Sequence, residues 1–128
     1  MSSQPEATQS SQPLLNRPSN GIAYIAIIAA LITAAIHLLL APRVMAFNQT
    51  TGILFYLNGL GFIGGVLLFL SRYWQRSLYL VAMGYALVTI IAFFALSGPI
   101  NPLSITAKTA EAILLVAAGY LYFSSETT

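Results

Sequence analysis

The chain predicts an all-α polytopic membrane protein, an antiparallel bundle of four transmembrane helices, on three observations. Of its 128 residues, 58% are hydrophobic and 6% are charged, against about 45–50% and about 25% in soluble domains. Four apolar runs each approach the ~20 residues that cross a bilayer. The runs are too long for buried strands and lack the two-residue alternation of barrel strands.

Residues 1–20 are rich in Ser, Gln and Pro, with Glu6 and Arg17 as their only charges. Such a stretch buries too little apolar surface to offset the entropy of ordering, so a disordered tail is expected. With this polar stretch ahead of the first apolar run, no cleaved signal is expected. The transmembrane domain should occupy 21–123. Its first helix is expected over Ile22 to Leu40, stopped by Ala41-Pro42-Arg43, because proline disfavours helix in the residue before it. Asn48, Thr50 or Thr51 can cap a second helix over 52–70. The turn Ser71-Arg72-Tyr73-Trp74-Gln75-Arg76-Ser77 leads to a third over 78–96, with Ser97-Gly98-Pro99 as its stop. Asn101-Pro102 or Ser104 starts the fourth, over 105–123, and 124–128 make a short tail.

An even number of spans puts both termini on one side. Arg17, Arg72 and Arg76 lie on that side, and Arg43 and Lys108 lie on the other. The basic-residue majority places the termini in the cytoplasm and the protein in the cell membrane. Tyr24, Tyr73, Trp74, Tyr79, Tyr120 and Tyr122 fall at the terminal-side interface as an aromatic belt. Arg72, Tyr73, Trp74 and Arg76 together read as an interfacial anchor that attracts anionic lipid. The lipid bilayer is therefore the first expected partner. No basic stripe exists for nucleic-acid phosphates to follow.

Helices packing in lipid need small residues where their backbones meet. Steps of three and four give a seam of Ala23, Ala26, Ala30, Thr33 and His37 in the first helix. The second offers Leu54, Asn58, Gly61, Gly65 and Leu68, with Gly61 and Gly65 as a GxxxG contact. The third offers Ala82, Tyr85, Thr89, Ala92 and Leu96, and the fourth Ala107, Glu111, Leu114, Ala118 and Leu121. At 1.5 Å per residue, His37, Asn58, Thr89 and Glu111 fall roughly 5–13 Å inside the outer-loop end of their helices, in one layer. Lys108 shares the face of Glu111 three residues earlier, or snorkels to the headgroups. An ionisable group at that depth costs roughly 2.5–3.5 kcal/mol, so Glu111 needs a partner in the protein interior.

The site that follows is a cluster of His37, Asn58, Thr89, Lys108 and Glu111. It reads either as an internally satisfied structural pair or as a protonatable site open to the outer side. His37 and Glu111 are the available metal donors, but a single histidine and no cysteine rule out the usual zinc sets and bis-histidine haem. No catalytic residue is assigned. The chain has no aspartate for a Ser/His/Asp triad, and no cofactor motif is evident.

His37 late in the first helix, the segment from Gly52 to Phe62, the arginine-bearing turn from Ser71 to Ser77 and Lys108 together resemble a family of small, uncharacterised four-helix membrane proteins of archaea and bacteria. The likeness spans about Gly21 to Phe123. It implies the same four-span topology and no activity. The expected role is a non-enzymatic accessory or structural membrane protein that associates with itself or with a larger membrane complex. The alternative is a small-molecule, proton or metal-ion site built from the polar cluster.

Overall fold

Four helices carry the fold of the computed structural model: α1 (Gly21–Phe47), α2 (Gln49–Leu70), α3 (Ser77–Ala95) and α4 (Pro102–Ser124). Each is long and apolar enough to cross a membrane. The structure describes residues 18, 20–95 and 100–124. Most of the expected N-terminal tail, the Ser97-Gly98-Pro99 stop and residues 125–128 lie outside the described residues.

The helix ends follow from local hydrogen bonding. Asn20 caps α1, its side chain accepting from the Ile22 amide at 2.8 Å. α1 does not stop at Leu40 as expected but continues through Pro42 to Phe47. Proline removes one backbone donor, while leaving the helix in lipid would strand several, so a transmembrane helix absorbs it. Packing supports the extension. Ala41 is fully buried, and a Cβ placed on Gly52 would lie 2.5 Å from the Cα of Met45. Only glycine lets the last turn of α1 come so close to α2. Asn48 alone joins the two helices. Its N–H donates to the Val44 carbonyl at 2.8 Å, and its side chain accepts from the Thr51 amide at 3.0 Å.

α4 starts three residues earlier than the expected Ile105, at Pro102. Asn101 and Ser104 form a reciprocal cap: the Ser104 amide donates to Asn101 Oδ1 at 2.9 Å and the Asn101 amide to Ser104 Oγ at 3.0 Å. Proline at the first helical position needs no donor there. At the other end, Arg76 Nε donates to the Tyr122 carbonyl at 2.8 Å and its guanidinium lies 4.0 Å from the centre of the Tyr122 ring. The α2–α3 turn and the end of α4 therefore share one end of the bundle.

The helices lie side by side in the order α2, α1, α4, α3, with α2 packed on α1, α1 on α4 and α4 on α3. In their apolar windows, 44% of α1 and 39% of α4 is buried, against 11% of α2 and 6% of α3, so α1 and α4 form the centre. Their shared seam is alanine-rich: Ala23, Ala26, Ala30 and Ala34 face Ala110, Ala117, Leu114 and Leu121 in one cluster. Small residues bring backbones close enough for dispersion to hold the pair, since lipid supplies no hydrophobic drive between helices. The expected seams of α1 and α4 are the buried ones. That of α2 is rotated by about one residue, to Gly52, Gly59, Phe62 and Val66. The expected GxxxG contact is corrected accordingly. A Cβ on Gly65 would meet nothing within 4 Å, and one on Gly61 would run into the Tyr85 side chain of α3, whereas Gly59 sits against Leu38 and the Ala34 carbonyl of α1.

Candidate functional site

Midway along the bundle, Glu111 of α4 is fully buried against α1 and α3. Its carboxylate meets donors on every side. Thr33 Oγ1 donates to Oε2 at 2.5 Å. Thr89 Oγ1 lies 2.9 Å from Oε1 and shares its one proton with the Ala86 carbonyl at 2.8 Å, and the Lys108 ammonium reaches Oε1 at 2.7 Å. Lys108 therefore turns inward instead of snorkelling. Its Nζ is also 3.4 Å from the Thr89 carbonyl and 5.2 Å from the centre of the Phe93 ring. An ion pair one turn apart on one helix, approached by hydroxyls from two others, gives the buried charge the partners that a low dielectric requires.

His37 completes the cluster on the α2 side. Its Nδ1 lies 2.9 Å from the Thr33 carbonyl and 3.2 Å from the Thr33 hydroxyl, and 3.9 Å from Glu111 Oε2. A carbonyl can only accept, so Nδ1 carries a proton. The Asn58 amide Nδ2 stands 2.9 Å from Nε2 and donates to it, which selects the neutral Nδ1–H tautomer. The main-chain carbonyl of Asn58 accepts from the Tyr85 hydroxyl at 2.8 Å. One residue of α2 is thus tied to α1 by its side chain and to α3 by its backbone.

All five expected cluster residues, His37, Asn58, Thr89, Lys108 and Glu111, are joined in one network. Sequence reasoning placed Thr33 and Tyr85 on the packing seams but not in the cluster. Thr33 lies four residues before His37 on the same face, which was the available signal. Nothing in the position of Tyr85 marks its hydroxyl as a bond to α2. Among the described residues, no group of three His, Cys, Asp or Glu side chains converges as a metal would need. His37 and Glu111 come together, but among the described residues no further acid or imidazole joins them, and the Lys108 ammonium occupies the carboxylate.

The expected interfacial anchor splits into parts. Trp74 packs edge-on against Phe69 and Tyr79, ring centres 5.0 and 5.1 Å away. Arg76 clamps α4, and Arg72 with Tyr73 stays exposed, Nη2 donating to the Tyr73 hydroxyl at 3.1 Å. A second feature lies between this turn and the polar cluster. It is an apolar groove of about 210 Å³ between α2 and α3, floored by Ala26 and Ala30 of α1 and Leu114 and Ala118 of α4. Phe62 and Tyr85, edge to face at 4.8 Å, close its inner end and separate it from Glu111.

No curated protein and no solved structure matches the chain. One family model does match, over residues 8–122, which take in α1 to α3, α4 up to Tyr122 and every residue of the cluster. The chain therefore belongs to that family, DUF7475, a family of unknown function.

Proposed function

We propose that the protein is a non-enzymatic accessory or structural component of the cell membrane, with both termini on the cytoplasmic side. In this reading the polar cluster is a pin that sets the register of the bundle. The observation that carries it is the state of Glu111: the carboxylate is fully buried and both oxygens are already held by Thr33, Thr89 and Lys108. A carboxylate that takes up and releases a proton or cation needs a route to solvent. This one is shielded, and Lys108 already supplies its counter-charge. Buried polar groups that satisfy one another specify which helix faces meet, since any slip strands a charge in hydrocarbon. The outer helices α2 and α3, left largely uncovered by the other described residues, supply the surface through which an accessory protein associates with itself or with a larger complex.

The alternative is a proton, cation or small-molecule site at the same residues, opening to the outer side through motion of Lys108. Reconstitution separates the two. With the protein in liposomes, an imposed pH gradient should decay at the rate of protein-free vesicles. Decay that is accelerated by the protein and abolished by Glu111→Gln would overturn the structural reading in favour of the site. In native membranes, cross-linking from the exposed faces of α2 or α3 should capture a discrete partner or a second copy.

A further inference from the structure

The groove between α2 and α3 has dimensions, charge and position that point to one occupant. It runs along α2 from Gly61 to Phe69, a rise of about 12 Å, which is close to the depth of one leaflet of a ~30 Å hydrocarbon core. Its volume of about 210 Å³ exceeds the roughly 150 Å³ apolar cavity that takes up benzene. The slot is wide enough for a hydrocarbon tail.

At one end, Phe62 packed on Tyr85 forms a floor. At the other, Leu68, Phe69, Trp74 and Tyr79 frame the opening, beside the turn that carries Arg72 and Arg76. Among the described residues no acidic group lies at this end, because Glu111 sits beyond the floor in the other half of the bundle. Arg76 uses Nε on the Tyr122 carbonyl and Arg72 uses one nitrogen on Tyr73, so each guanidinium keeps further donors. Two cations in the turn whose Trp74 lines an apolar slot of leaflet depth match the chemistry of a phosphodiester headgroup joined to an acyl chain.

We propose that the α2–α3 groove is a binding site for an anionic phospholipid of the terminal-side leaflet, one acyl chain lying between α2 and α3 and the phosphate held by Arg72 and Arg76.

The chain offers its own reporter, since Trp74 is its single tryptophan and lines the groove. The protein is reconstituted in mixed phosphatidylcholine and phosphatidylglycerol vesicles, with bromine on the acyl chains of one lipid at a time. At equal mole fraction, brominated phosphatidylglycerol should quench Trp74 more than brominated phosphatidylcholine, with a relative affinity of about five-fold per engaged arginine. Arg72→Gln should lower that preference. Gly65→Leu, grown into space where a Cβ meets nothing within 4 Å, should abolish it, and so should Ala82→Leu from the opposite wall. Equal quenching by the two lipids in the native protein would overturn the proposal. So would an unchanged preference in both folded groove-filling variants. Because the chain has no cysteine, a Gly65→Cys variant that oxidises to a dimer in the membrane would instead seat a second copy in the groove and equally overturn it.

Discussion

At the scale of single residues, the stability of the polar cluster is carried by pairing rather than by any one charge. Removing the Lys108 ammonium leaves a fully buried carboxylate without its counter-ion, and losses of this kind run to about 3–5 kcal/mol. We expect Lys108→Met and Glu111→Gln each to be strongly destabilising, and the double variant to cost clearly less than their sum. Unfolding in mixed detergent micelles reads the coupling, and simple additivity would mean that the two groups do not act as a pair. Thr33→Val removes the hydroxyl on Glu111 Oε2 while keeping the volume, and should cost about 1–3 kcal/mol. Thr89→Val should cost less, because Oε1 keeps Lys108 and Thr89 is only half-buried. The imidazole gives a spectroscopic check. Nitrogen-15 shifts of His37 should report a protonated Nδ1 and a bare Nε2, and an Asn58→Leu variant should disturb the Nε2 signal first.

At the scale of helices, close approach between α1 and α2 depends on glycine where backbone meets backbone. Gly52→Ala sets a methyl 2.5 Å from the Cα of Met45, where no side chain can swing away. It should loosen the α1–α2 hairpin and lower the melting temperature sharply. Gly65→Ala, with open space around its Cβ, should be neutral or gain up to about 1 kcal/mol from helix propensity. Equal losses at the two sites would mean that α2 presents its GxxxG face to a helix after all. Gly61→Ala should fall between them, since a new methyl would displace the Tyr85 hydroxyl and its bond to the Asn58 carbonyl.

Across the whole molecule, the four helices form an open arc in which α1 and α4 are central and α2 and α3 face each other over a groove. This makes a topological prediction. Cysteine pairs placed across the α1–α4 seam, such as Ala30→Cys with Leu114→Cys, should cross-link readily in the membrane. Pairs between the mid-length faces of α2 and α3 should cross-link poorly unless a longer bridging reagent is used. Efficient direct disulfides between α2 and α3 would show a closed bundle with no groove.

Some of this was written in the chain itself. Helix number and span follow from unbroken apolar runs, because backbone in lipid has few alternatives to a helix. The burial of Glu111 beside Lys108 and His37 follows from the cost of leaving ionisable groups in acyl chains. The inward seams of α1 and α4 could be read from alanine, threonine and glutamate spaced by turns. Other features needed the tertiary arrangement. Whether Pro42 ends α1 depends on α2 receiving Met45 at Gly52. Which glycines of α2 touch a helix depends on a rotation of about one residue, and both faces of that helix are apolar enough to permit either choice. Thr33 and Tyr85 fall on seams the spacing shows, but their partners Glu111 and Asn58 lie on helices far away in sequence, so no local pattern names those bonds. The opening between α2 and α3 exists only because α1 and α4 pair first, through backbones that small side chains bring together.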